Sequence, residues 1–123
     1  MKARILIIDD DDLVRATLSR TLTTAGYHVI EAQNGNEGLR KFAAGNIDLV
    51  ITDILMPEKE GLETIQELRQ ADADIKVIAI SGGDRSGNLS YLGMAAALGA
   101  DNVLAKPYRR QELLTMLDAV LKA

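Results

Sequence analysis

Five short apolar runs constrain this chain more than any other feature. They fall at residues 4–8, 28–30, 49–52, 76–80 and 102–105. Their starts lie about 20 to 28 residues apart, room for a strand, a loop and a three-turn helix. Most are rich in Ile and Val and alternate little, as strands buried on both faces require. The second is the weakest, flanked by Tyr27, His28 and Glu31, and reads as an edge strand. Between the runs the period changes to that of a helix. Val14, Leu18, Leu22 and Ala25 form one such face, stopped by Gly26; Leu39, Phe42 and Ala43 form a second, stopped by Gly45-Asn46. Leu62, Ile65 and Leu68 predict a third helix, Leu92, Ala95, Ala96 and Gly99 a fourth, and Leu113, Met116, Leu117, Val120 and Leu121 a fifth. Strand and helix alternate five times, which calls for an α/β fold: a parallel sheet with right-handed crossovers and helices on both faces.

At 123 residues, the chain has the size of one domain, and residues 1–123 are expected to form a single unit. The absence of cysteine excludes disulfides, thiolate metal sites and cysteine nucleophiles. His28 is the single histidine, lies at the start of the edge strand and is expected to be structural or exposed. A net charge of −4 argues against binding duplex DNA through its phosphates, and 3% aromatics against stacking on single strands. No apolar run approaches the length of a membrane span, and the N-terminus lacks a signal-peptide pattern. The expected location is the cytoplasm.

In an open parallel sheet, ligands bind beyond the carboxyl ends of the strands. The first strand is followed there by Asp9, Asp10, Asp11 and Asp12, the third by Asp53, the fourth by Ser81 and the fifth by Lys106-Pro107. The second is followed by Glu31-Ala32-Gln33, which reads as inert. Taken singly, each has an ordinary explanation: Asp11 and Asp12 as helix caps or first-turn residues facing the helix dipole, Asp53 and Ser81 as turn residues, Lys106 as a solvated cation. Their joint placement is the signal. Carboxylates about 4 Å apart repel by about 4 kcal/mol per pair at an effective dielectric near 20, a cost that a divalent cation or protonation offsets. Mg²⁺ suits hard oxygens and a phosphate, with Mn²⁺ as an alternative. Lys106 and Ser81 would hold phosphate oxygens, and an Asp carboxylate can attack phosphorus to form an aspartyl phosphate.

The runs from Ile5 to Asp10, from Leu49 through Asp53 to Pro57, from Ile78 to Gly82 and from Gly99 through Lys106 to Pro107 together resemble the receiver domain of two-component response regulators, over nearly the whole chain. The resemblance implies a flavodoxin-like doubly wound sheet of five parallel strands in the order 2-1-3-4-5, an order for which a chemotaxis receiver is a standard example. It implies that Asp53 accepts a phosphoryl group from a phosphohistidine on a sensor histidine kinase or histidine phosphotransfer protein. Asp9, Asp10, Asp53 and the backbone carbonyl of Leu55 would hold Mg²⁺; Ser81 would bind a phosphoryl oxygen, and Lys106 would pair with the acyl phosphate. Such a chain is a signalling domain rather than an enzyme. It would carry no output domain, and would act by docking a downstream protein or by passing the phosphoryl group on, as a monomer or weak homodimer.

Two positions depart from the family pattern. Val103 stands where many receivers carry an aromatic, three residues before the site lysine, and a valine has no ring to swing. Residues 82–88 carry three glycines, and Arg85 within them is a candidate to reach the phosphoryl group or a partner. Leu55 and Gly83 offer no hydrogen bond to an attacking water, so slow self-dephosphorylation is expected. Tyr91 and residues 108–110 are the expected centre of a docking face. A competing reading is a receiver-like binding module independent of phosphorylation, which the intact Asp9, Asp10, Asp53, Ser81 and Lys106 set opposes. A second is an Mg²⁺-dependent phosphohydrolase working through an aspartyl phosphate. Such enzymes place an acid/base Asp two residues after the nucleophile, where this chain has Leu55.

Overall fold

Ile5, Leu6, Ile7 and Ile8 have no exposed surface in the computed structural model, which describes residues 2–54, 61–81, 100–106 and 108–122. The β-branched run therefore forms an inner strand, β1 (Arg4–Ile8), paired on both sides. Four more strands complete the sheet: β2 (His28–Ala32), β3 (Leu49–Asp53), β4 (Lys76–Ser81) and β5 (Asn102–Ala105). All pairings are parallel and the order is β2-β1-β3-β4-β5. The expected topology stands, with β2 at an edge. Three strands run slightly further than the apolar runs suggest, because backbone pairing continues past the last apolar side chain. Glu31, Asp53 and Ser81 thus lie within strands rather than after them.

Four helices lie among the described residues: α1 (Asp12–Thr24), α2 (Gly35–Ala43), α3 (Gly61–Ala71) and α4 (Arg110–Lys122). The helical pattern of Leu92, Ala95, Ala96 and Gly99 lies outside the described residues. Gly26 and Gly45 take positive φ of 99° and 100° after α1 and α2, and Asn46 follows at 66°. These are left-handed conformations that favour glycine and tolerate asparagine. None of the described helices is long and apolar enough to cross a membrane.

Alternate side chains of the sheet feed two cores. Ile5, Ile7, Leu49, Ile51, Ile78 and Ile80 pack with Leu18 and Leu22 of α1 and with Leu113, Leu117 and Val120 of α4. Leu6, Ile8, Val50, Val77 and Ala79 pack on the other face with Ile65 and Leu68 of α3, flanked by Leu39 and Phe42 of α2. Each fully buried Leu or Ile stabilises the fold by about 1.5–3 kcal/mol over an exposed one. With both faces covered, the polar ends of the strands remain as the place where functional side chains gather.

Candidate functional site

The register sets the strand ends level. Ile8 pairs with Ala32 on one side and Thr52 on the other, Asp53 with Ile80, and Ser81 with Ala105. Asp9 and Lys106 follow β1 and β5 directly, and Asp53 and Ser81 are the last residues of β3 and β4. The sequence therefore brings all four to one edge by topology alone.

The acidic run divides its labour at the start of α1. Asp11 is the N-cap: its Oδ1 accepts from the amides of Leu13 and Val14 at 2.9 and 3.1 Å. Asp12 occupies the first turn and pairs with Arg15. This frees Asp9 and Asp10 for the site. Oxygens of Asp9, Asp10 and Asp53 all lie within 4.8 Å of one another, with Asp9 buried, Asp10 exposed and Asp53 half-buried. Three hard anionic oxygen donors so grouped are the donor set that Mg²⁺ or Mn²⁺ takes, so these residues fit the cation expected from the sequence.

Asp9 is the most buried of the three, with 2% of its surface exposed. Its amide donates to the Ala32 carbonyl at 3.1 Å. Its Oδ1 accepts from the Asp11 amide at 2.9 Å, and its Oδ2 lies 3.9 Å from Lys106 Nζ. Burial pushes its carboxyl above the usual range, aided by the nearby charges of Asp10 and Asp11; the Asp11 amide and Lys106 oppose the shift but do not cancel it. A cation would reverse this balance by favouring the charged form.

Of the other sequence-predicted positions, Leu55, Arg85, Gly83, Tyr91 and Pro107 lie outside the described residues. His28 is exposed at the start of β2, at the sheet edge opposite the acidic group. Val103 is half-buried and packs toward the α2–α3 side of the sheet, an ordinary strand residue in its surroundings. Tyr108 is also half-buried and packs against the α1–α4 core, with Arg109 and Arg110 exposed beside it. Among the described residues of the expected docking face, Arg109 and Arg110 are thus the exposed side chains, and Tyr108 offers only part of its ring. Burial pushes the Tyr108 phenol up, and the charge of Asp9 adds to the shift.

Three contributors to the site escape a reading of the sequence. Thr52 is fully buried, and its hydroxyl donates to the Asp53 carbonyl at 3.1 Å. Arg15 donates through Nη1 to the Asp9 carbonyl at 2.8 Å and through Nε to Glu31 at 3.2 Å. Glu31 is therefore not inert. The Asp12–Arg15 pair has helical i,i+3 spacing and could have been anticipated; the link to Glu31 depends on strand register and could not.

A profile of the response regulator receiver domain matches residues 5–118. Response regulator MprA of Mycolicibacterium vanbaalenii is 38% identical over 122 residues, covering 99% of this chain and 52% of that protein. The chain thus spans about half the length of the curated relatives it matches. Among solved structures, response regulator protein TrrA of Thermotoga maritima, in complex with Mg²⁺-BeF, superposes with a TM-score of 0.85 at 34% identity, over 97% of this chain and 99% of that one. A putative response regulator of Chloroflexus aurantiacus gives a TM-score of 0.92 at 30% identity over 100% of both chains.

Proposed function

This chain belongs to the response regulator receiver domain family, and we propose that Asp53 is its phosphoryl acceptor, working in the site formed with Asp9, Asp10, Ser81 and Lys106. Receivers of this family serve phospho-accepting two-component signalling, and response regulators are phosphorylated by histidine kinases. The observation that carries the proposal is the gathering of Asp9, Asp10 and Asp53 oxygens within 4.8 Å of one another, with Lys106 Nζ 3.9 Å from Asp9.

In this reading, residues 1–123 form one receiver domain and the donor is a phosphohistidine on a sensor histidine kinase or a histidine phosphotransfer protein. An Asp53 carboxylate oxygen attacks the phosphorus. The O–P bond forms as the P–N bond breaks, and the electron pair returns to the donor nitrogen. The donor ring, protonated on its second nitrogen, leaves as neutral imidazole. Thr52 steadies Asp53 from behind through its carbonyl. Lys106 rests near Asp9 and gains a second anionic partner once the acyl phosphate forms. The Ser81 hydroxyl donates to a phosphoryl oxygen. Asp9, Asp10, Asp53 and the Leu55 carbonyl would hold Mg²⁺, or Mn²⁺ in its place. The bound cation supplies neutralisation of the charge shared by acceptor and phosphoryl group. The phosphorylated domain then docks a downstream protein or passes the group on, as a monomer or weak homodimer in the cytoplasm.

Intact-protein mass after incubation with acetyl phosphate tests the proposal. We expect one added phosphoryl group on the wild type with Mg²⁺, none with EDTA, and none on Asp53→Asn. An adduct that persists on Asp53→Asn would overturn the assignment. So would the lack of any adduct from both acetyl phosphate and a phosphohistidine protein.

A further inference from the structure

We propose that Arg15 is a positioning residue for the acidic site: by clamping the Asp9 carbonyl between α1 and β2, it fixes the peptide plane that aims the Asp10 carboxylate. The inference rests on the reading of Asp9 and Asp10 as cation ligands.

The geometry distinguishes this contact from an ordinary surface ion pair. Arg15 is a first-turn helix residue with 15% of its side chain exposed, and its guanidinium serves three acceptors on three pieces of chain. Nη2 pairs with Asp12 on α1, Nε with Glu31 at 3.2 Å on β2, and Nη1 with the Asp9 carbonyl at 2.8 Å. The Asp9 amide is bonded to Ala32, its Oδ1 to the Asp11 amide, and its Oδ2 lies near Lys106. These three contacts fix Asp9 itself. The carbonyl held by Arg15 belongs to the next peptide, whose nitrogen is that of Asp10. Among the described residues no hydrogen bond holds the exposed Asp10 carboxylate directly, so its direction depends on this peptide. Glu31 is in turn backed by Lys41, whose ammonium donates to the Glu31 carbonyl. A planar guanidinium can meet acceptors in several fixed directions at once, whereas an ammonium acts as a point charge.

Charge and position predict opposite signs, which makes the inference testable. Arg15 is a cation near a cation site. On charge alone, Arg15→Met should tighten Mg²⁺ binding and Arg15→Lys should leave it unchanged. A positioning role predicts that both substitutions weaken it, since loss of groups that orient metal ligands typically lowers affinity by about 10-fold or more. Isothermal titration with MgCl₂ at constant ionic strength reads the affinity. Thermal unfolding in EDTA establishes that each variant is folded. Amide exchange at Asp10 and Asp11 in metal-free protein supplies a readout independent of the cation.

We expect affinity to fall by about 10-fold in Arg15→Met, to fall in the same direction in Arg15→Lys, and exchange at Asp10 and Asp11 to accelerate in both. Unchanged or tighter binding in folded Arg15→Met, or unchanged binding in Arg15→Lys, would overturn the role while leaving the site itself standing. A wild type that does not bind Mg²⁺ would overturn the reading of the site and this inference with it.

Discussion

Asp9 and Asp11 stand two residues apart in one acidic run, yet their substitution has different consequences because only Asp11 faces the helix. Its Oδ1 satisfies the Leu13 and Val14 amides, two of the donors that the first turn of α1 leaves without helical partners. Its own amide, which holds Asp9, is a backbone group and survives any substitution except proline. Asp11→Ala is therefore expected to lower stability by about 1 kcal/mol, the typical worth of an N-cap, while phosphoryl uptake persists. Asp11→Asn keeps the acceptor and should lose less, only the charge–dipole part of about 0.3–1 kcal/mol. Urea unfolding of the three proteins, together with the mass assay, checks both statements. An Asn variant as unstable as the Ala variant would show that charge, not the cap bond, matters here. This division was legible in the sequence. The helical pattern starts at Val14, which marks Asp11 and Asp12 as cap or first-turn residues and leaves the two aspartates before them for other work; the structure then makes Asp11 the cap. The roles of Arg15 and Glu31 were not legible, because they arise where β1 and β2 pair, Ile7 opposite Glu31, and register has no local signature.

At the scale of elements, Gly38 shows why a correctly read helix still hides its critical residue. Leu39, Phe42 and Ala43 mark α2 in the sequence, and Gly38 within it looks like a weak point of the helix. In the fold, α2 crosses β1 so closely there that a Cβ on Gly38 would lie 2.7 Å from Ile8 Cγ1 and closer still to its Cδ1. Ile8 is fully buried and branched, so it cannot simply swing aside. Two effects compete in Gly38→Ala. Helix propensity favours alanine by about 1 kcal/mol. Overpacking costs about 1–3 kcal/mol. The contact falls on an inner strand enclosed by neighbours, so the second effect should win, with a net loss of about 1 kcal/mol and at most about 2. Ile8→Val removes the outermost methyl, and the double variant Gly38→Ala/Ile8→Val should be more stable than the sum of the single changes implies. Chemical denaturation across the cycle measures this coupling; strict additivity would rule out the proposed clash. The strands were legible because β-branched runs buried on both faces have few other homes. The close approach was not, since it joins residues 30 positions apart.

On the scale of the whole molecule, the two cores hold a sheet whose polar edge works against folding. Carboxylates within 5 Å repel by about 3–4 kcal/mol per pair at an effective dielectric near 20, and exposure of Asp10 screens part of that. A domain of this size is stable by only about 5–15 kcal/mol, so the acidic group is a sizeable opposing term. Topology makes it unavoidable, because parallel strands deliver their carboxyl ends to one edge; the same rule made the site legible before any contact was known. Cation binding should then appear as stability of the entire fold. At a hundred-fold excess of Mg²⁺ over its Kd, the folded state gains about 2.7 kcal/mol through linkage alone. Asp10→Asn removes one ligand and one like charge. In EDTA we expect it to unfold at a urea concentration equal to or above that of the wild type. On adding Mg²⁺ the wild type should move to higher urea, while the variant moves much less, so that the order of stability reverses at high Mg²⁺. Parallel shifts in both proteins would mean that the cation acts elsewhere on the surface. A wild type already more stable than Asp10→Asn in EDTA would mean that Lys106, close to Asp9, neutralises the edge without a metal.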